Sequence, residues 1–116
     1  ILVTNRSPEK AKAVAAGCGG EAVAWELLDS TLTVADIVLS TTGSPELIMT
    51  ADRWGPVAAR RTAGPVVILD IAVPRDFDPA IHDGDQAFLY NIDDLRKVRE
   101  ATLARRRGHI ASAEAI

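Results

Sequence analysis

A single cysteine, Cys18, rules out an internal disulfide, and nothing in the cysteine usage points to an oxidising compartment. Long apolar runs are missing too: none approaches the roughly 20 residues that span a bilayer, and no secretory signal pattern is present, so a cytoplasmic location is the expectation. The net charge is small. Thirteen Lys and Arg against sixteen Asp and Glu leave a net charge of -3, which exerts no global pull toward nucleic acid or an anionic membrane. The two histidines, His82 and His109, stand alone, without a cysteine or second histidine at ligand spacing, so no metal site is expected. The Gly-rich G-x-G-x-x-G turn that cradles a dinucleotide pyrophosphate is also absent. Finally, the sequence opens on Ile1-Leu2-Val3 without a methionine and stops at Ile116 inside a helical pattern, so it reads as a piece cut from a longer protein.

What is present is the composition of an ordinary soluble domain, 47% hydrophobic and 25% charged over 116 residues, enough for one modest core. Ile1 to Thr4 reads as a buried strand. Ser7 as N-cap and Pro8 at the first helical position then start an Ala-rich helix that Gly17 is expected to end. Glu21 to Ala24 reads as a weak strand, Trp25 to Leu32 as a short helix, and Asp36 to Ser40 as a continuous apolar strand. A helix follows between Thr50 and Arg61, which Gly55-Pro56 is expected to break or kink. Val66 to Asp70, β-branched and apolar without alternation, reads as a strand buried on both faces; Ala87 to Tyr90 is a last short strand, and Asn91 caps a long helix with Asp93 and Asp94 in its first turn.

Strands that alternate with helices in this way predict an α/β, Rossmann-like, doubly wound parallel sheet. Its loops sort onto two edges. Asn5-Arg6-Ser7, the connection at Trp25, Thr41 to Pro45 and Asp70 to Asp78 belong to the carboxyl edge, where such sheets bind ligands, and Gly17-Cys18-Gly19-Gly20 belongs to the other. If Ile1 to Thr4 is the second strand of the fold, the first strand and its Gly-rich turn are lacking, and the strands at Ile1 and Asp36 face a gap.

The carboxyl edge supplies the candidate residues. An acidic residue after the second strand would accept hydrogen bonds from the free 2′-hydroxyl of NAD; here Asn5-Arg6-Ser7 stands there instead, and a guanidinium with a hydroxyl at a helix start suits a 2′-phosphate, which favours NADP. Thr41-Thr42-Gly43 ends the next strand with small residues that let a backbone approach a ribose or nicotinamide, although the same residues also make ordinary turns. In the Asp70 to Asp78 stretch, Arg75 between Pro74 and Asp76 is either a site element or part of a stiff surface turn whose Arg and Asp residues pair with one another. Cys18, between glycines on the far edge, reads as structural. The Arg105 to Arg107 run reads as a solvated helix face.

In order and spacing, Asn5-Arg6-Ser7, Ala35-Asp36-Ile37-Val38 running to Ser40-Thr41-Thr42-Gly43, Asp70 to Pro79 and Tyr90-Asn91-Ile92-Asp93-Asp94-Leu95 resemble glutamyl-tRNA reductase. The Asn5-Arg6-Ser7 motif is shared with shikimate dehydrogenase-like domains. The resemblance implies an incomplete NADP-binding domain over residues 1–90 and the start of the dimerisation-domain helix over 91–116. It further implies an NADPH-dependent oxidoreductase that reduces glutamyl-tRNA to glutamate-1-semialdehyde in tetrapyrrole (porphyrin) biosynthesis, with a homodimer formed through the C-terminal helix. The cofactor-binding residues it implies are Asn5, Arg6, Ser7, Thr41, Thr42, Gly43, Ala72, Val73 and Pro74. No residue of this chain is expected to be catalytic, because the family's nucleophilic cysteine lies in a separate domain and Cys18 does not match its motif; the fragment alone is expected to be inactive. The alternatives are a shikimate or quinate dehydrogenase-type NADP domain, for which Pro74-Arg75-Asp76 and Asp93-Asp94-Leu95 have no explanation, and a non-catalytic Rossmann-like interaction module.

Overall fold

The computed structural model describes the backbone of residues 1–114 and the side chains through Arg106, which leaves the reading of His109 outside the described residues. The chain alternates as expected: β1 (Leu2–Val3), α1 (Pro8–Cys18), β2 (Glu21–Ala22), α2 (Leu28–Leu32) after a 3₁₀ turn at Trp25–Leu27, β3 (Ile37–Ser40), α3 (Ala51–Arg60), β4 (Val66–Asp70), a 3₁₀ turn at Pro79–Ile81, β5 (Ala87–Asn91) and α4 (Ile92–Glu114). Every described strand pair is parallel, in a two-stranded sheet β1-β2 and a three-stranded sheet β3-β4-β5. This is the α/β, Rossmann-like architecture that the alternation predicted. The chain divides into two compact units, one of Ile1–Asp36 with Asp52–Gly64 and one of Ile37–Ala51 with Pro65–Ile116.

In the first unit, β1 and β2 pair Leu2 with Glu21 and Val3 with Ala22. Helix α1 starts where the sequence says it should, with Ser7 as N-cap in extended conformation and Pro8 at the first helical position. It does not end at Gly17. That glycine stays inside the helix, and Gly19, at φ 70, makes the left-handed cap and donates its N–H to the Ala15 carbonyl. Glycine is favoured where φ must turn positive, and of the three glycines in this stretch only Gly19 meets that demand. Ala11, Ala15, Leu32, Trp54 and Val57 are the buried apolar residues of this unit. Arg61 closes it at the other end, donating from Nε and Nη2 to the Gly64 carbonyl and from Nη1 to the Leu32 carbonyl. Helix α3 runs unbroken past Gly55-Pro56. Proline there forfeits the one hydrogen bond to the carbonyl four residues back, and the burial of Trp54 and Val57 on either side of Gly55-Pro56 offsets that loss.

In the second unit, β4 is the central strand, in register with β3 from Ile37↔Val67 to Ser40↔Asp70 and with β5 from Val66↔Ala87 to Asp70↔Asn91. Val66, Ile68 and Asp70 are buried, whereas Val67 and Leu69 are half-buried, so β4 covers one face completely and the other in part. Apolar composition overstates burial more strongly elsewhere. Ile37 is 71% and Leu39 64% exposed, and Ile1 and Leu2 of the expected buried strand are exposed as well. A run of β-branched residues records which side chains favour burial; only the packing decides which of them are covered. The core of this unit is Ile48, Met49, Val66, Ile68, Ala72, Phe77, Ile81 and Ala87. Helix α4 opens on a reciprocal capping box, in which Asn91 Oδ1 accepts from the Asp94 N–H and Asp94 Oδ2 from the Asn91 N–H.

Candidate functional site

Because the strands within each sheet are parallel, the loops that follow them leave from one edge of that sheet. In the first unit this edge carries Asn5, Arg6 and Ser7 together with Trp25. Asn5 Oδ1 accepts the Ser7 N–H at 2.8 Å, turning the chain from β1 into α1, and Ser7 Oγ accepts the Lys10 N–H at 3.4 Å. With Asn5 and Ser7 engaged in the turn, Arg6 projects outward, its guanidinium carbon 5.6 Å from the centroid of the Trp25 ring. At this distance the cation lies over the ring face, and among the described residues no hydrogen bond occupies its N–H donors. A pocket of about 230 Å³ lies beside them, lined by Asn5, Arg6, Pro8, Lys12, Trp25 and Glu26 among others. The sequence placed the connection at Trp25 on this edge, without the contact of its ring with Arg6, and did not single out Lys12.

The edge of the second unit is built differently. Three polar residues, Ser40, Asp70 and Asn91, end β3, β4 and β5 in a single row across the sheet. Asp70, 1% exposed, accepts three backbone N–H groups: Ala72 at 3.2 Å on Oδ1, and Asp76 and Phe77 at 2.9 Å on Oδ2. Its carboxylate therefore gathers both ends of the loop that contains Val73-Pro74-Arg75, whose Val73–Pro74 peptide is cis. Asp76, with no exposed surface, faces the neighbouring loop. Its Oδ2 accepts the Ser40 hydroxyl at 2.5 Å and the Thr42 N–H at 3.1 Å, its Oδ1 accepts the Thr42 hydroxyl at 2.5 Å, and its carbonyl accepts the N–H groups of Ile48 and Met49.

The stiff surface turn with paired Arg and Asp is thereby excluded. Asp70 and Asp76 are buried and bonded to backbone and hydroxyl groups, and among the described residues no carboxylate lies within ion-pair distance of Arg75. Arg75 is exposed and lines a cleft of about 350 Å³ together with Phe77, His82, Tyr90, Asn91 and Asp94. His82, which lines the same cleft, makes edge contacts with the rings of Phe88 and Tyr90, and its Nδ1 accepts the Leu89 N–H at 2.9 Å. In the neutral imidazole the ring proton therefore sits on Nε2. In the adjoining turn, N–H groups donated by Ala87, Asp85 and Gln86 hold the Asp83 carboxyl below its ordinary value.

The remaining expected cofactor residues fall on this edge as follows. Thr41 is exposed, Thr42 half-buried and bonded to Asp76, and Gly43 exposed with open space where a Cβ would stand. Ala72 is buried with its N–H committed to Asp70, whereas Val73 and Pro74 are exposed. Thr41-Thr42-Gly43 and Ala72-Val73-Pro74 thus belong to adjacent loops joined through Asp76. Asn5, Arg6 and Ser7 belong to the first unit. Cys18 is exposed at the end of α1, on the edge opposite Arg6. Among the described residues no His, Cys, Asp and Glu cluster could hold a metal ion, and no helix is long and apolar enough to cross a membrane.

A parallel α/β fold whose polar groups gather at the carboxyl edges is that of a Rossmann-like nucleotide-binding domain, and a model of the family described as shikimate / quinate 5-dehydrogenase matches residues 1–98. The chain belongs to that family. Along its whole length it is similar to one group of enzymes: it is 44% identical to glutamyl-tRNA reductase of Trichlorobacter lovleyi over 116 residues, 100% of this chain and 27% of that protein. Glutamyl-tRNA reductase of Geobacillus thermodenitrificans is 43% identical over 114 residues, 98% of this chain and 25% of that protein. The solved structure of glutamyl-tRNA reductase from Methanopyrus kandleri superposes with a TM-score of 0.84 at 35% identity, covering 96% of this chain and 28% of that one. The resemblance drawn from the four motifs therefore holds, and the chain spans about a quarter of the length of the curated relatives it matches.

Proposed function

We propose that residues 1–90 form the NADP-binding part of a glutamyl-tRNA reductase and that residues 91–116 begin the helix through which such a protein dimerises. In this reading the intact protein reduces glutamyl-tRNA to glutamate-1-semialdehyde in tetrapyrrole biosynthesis, in the cytoplasm, and NADPH supplies the hydride. The residues of this chain bind and orient the cofactor; none is assigned a covalent or proton-transfer step.

The observation that carries the cofactor reading is Arg6. It stands at the carboxyl end of β1, beside the first turn of α1, where an NAD-specific site would place a carboxylate for the ribose 2′-hydroxyl. Among the described residues no hydrogen bond occupies its donors, and on the pocket it lines Lys12 adds a second positive charge against the single carboxylate of Glu26. The pocket is suited to the adenosine 2′-phosphate. Thr41-Thr42-Gly43 and Ala72-Val73-Pro74 are assigned to the nicotinamide and its ribose: Gly43 leaves space for close approach, and Val73 and Pro74 present an exposed apolar surface.

Arg6→Glu tests this assignment in the intact protein that carries these residues. Loss of a charge-assisted contact and its replacement by a repelling carboxylate should weaken NADPH on the order of tenfold to a hundredfold and leave NADH nearly unchanged. Equal weakening of both cofactors would remove Arg6 from the 2′-phosphate site.

A further inference from the structure

Neither the reductase reading nor the cofactor reading assigns a role to Asp76, yet no polar side chain of the second unit is more fully used. Its carboxylate accepts one hydrogen bond from the last residue of β3 and two from Thr42 in the loop that follows, and its N–H donates to the Asp70 carboxylate at the end of β4. Its carbonyl accepts from Ile48 and Met49, where the chain returns toward α3. The end of β3 with its loop, the Ile48-Met49 segment and the end of β4 thus converge on one residue. The Thr42 contacts are the informative ones. Thr42 is bound by Asp76 through both its N–H and its hydroxyl, so the backbone direction and the side-chain rotamer at this position are both set. The Thr42 hydroxyl also accepts from the Ser44 N–H at 3.3 Å, which carries the constraint past Gly43. Gly43 has open space around it and no positive φ, so no packing of its own holds this tip in place.

We infer that Asp76 is a positioning residue for the nicotinamide end of the cofactor: it locks Thr41-Thr42-Gly43 to Ala72-Val73-Pro74, so that the two loops present one preorganised wall. This rests on the cofactor reading of those loops and deepens it. A wall already held in place binds without the entropic cost of ordering two loops, and small displacements of such a wall are expensive to function. Asparagine is the informative replacement. Its carbonyl oxygen can accept from Ser40 and the Thr42 N–H while its amide donates to the Thr42 hydroxyl, so the tether survives without the charge. Alanine abolishes it.

The test compares two ligands in the intact protein: NADPH, which reaches both loops, and 2′,5′-ADP, which carries the adenosine 2′-phosphate but no nicotinamide. Asp76→Ala should weaken NADPH about tenfold or more and leave 2′,5′-ADP within about twofold, whereas Asp76→Asn should stay within about threefold of the parent for both. Ser40→Ala removes a single donor from the tether and should weaken NADPH by about threefold, again sparing 2′,5′-ADP; it keeps the test available where Asp76→Ala fails to fold. NADPH affinity unchanged in Asp76→Ala, or in Ser40→Ala where Asp76→Ala does not fold, would overturn the inference while leaving the cofactor reading intact. Equal loss of both ligands in the folded variants would show a general structural role and overturn it as well. A parent protein that binds neither ligand would overturn the cofactor reading and this inference with it.

Discussion

The two carboxyl edges are held together by bonds of very different reach along the chain. At the edge that carries Arg6, the shaping bonds join residues two and three positions apart, Asn5 to Ser7 and Ser7 to Lys10. At the edge that carries Thr42, they join residues 34 and 36 positions apart, Thr42 and Ser40 to Asp76, with Asp70 reaching six and seven positions to Asp76 and Phe77. The turn and cap of the first edge can form as soon as their short segment becomes helical, and only the Arg6–Trp25 contact waits for β1 and β2 to pair. The second exists only once three parallel strands are in register, because the row Ser40, Asp70, Asn91 is assembled by the sheet. Local turns are common and individually weak; buried carboxylates that satisfy several donors are costly to disturb.

That contrast is open to direct measurement. The largest effect is expected at Asp70. Asp70→Ala strands three N–H groups in the interior, and urea denaturation should show a loss on the order of 3–5 kcal/mol. A loss below about 1 kcal/mol would mean that water or a rearranged loop replaces the carboxylate. Ser7→Ala, at the other edge, removes one long capping bond of 3.4 Å and should cost about 0.5–1 kcal/mol by the same measurement. If Ser7→Ala proved as damaging as Asp70→Ala, the division into a locally and a non-locally built edge would fail.

The smallest effect belongs to Asp83, which sharpens the same comparison with a local turn inside the second unit. Its carboxyl is held below the ordinary value of 3.8 by N–H groups from Ala87, Asp85 and Gln86. A carboxylate with a lowered folded value contributes stability above the ordinary value, and that contribution is lost as pH falls through 3.8 toward the lowered one. The melting temperature should therefore fall on acidification, and Asp83→Asn should make that fall shallower. An identical pH profile in the variant would show that ionisation of Asp83 is not linked to folding.

Much of the fold was legible because it is written in short-range features. Ser7-Pro8 announced α1, the apolar runs at 37–40 and 66–70 announced β3 and β4, and Asn91 with Asp94 announced α4. The misjudged points are those where a neighbour in space overrules a local preference. Gly17 was the first glycine available to end α1, but the chain direction into β2 calls for the left-handed residue at Gly19. Pro56 was expected to interrupt α3, yet burial of Trp54 and Val57 carries the helix through it. The site divides in the same way. Arg6 was identifiable from its place after a strand and before a helix start. Asp76 was not, since the donors it serves are more than thirty residues upstream.

From the residues alone came the alternation of strands and helices, the parallel connection it requires, the sorting of loops onto a ligand-binding edge and the kinship with glutamyl-tRNA reductase. All of these rest on periodicity, capping and motif order, which are properties of neighbouring residues. Tertiary structure alone decided that Asp70 and Asp76 are buried anchors and not surface charges, that Arg75 is left free to line a cleft, and that Ile37 and Leu39 stay uncovered. The reason is that a carboxylate's surroundings are set by which donors the folded sheet brings to it, and no local pattern carries that information.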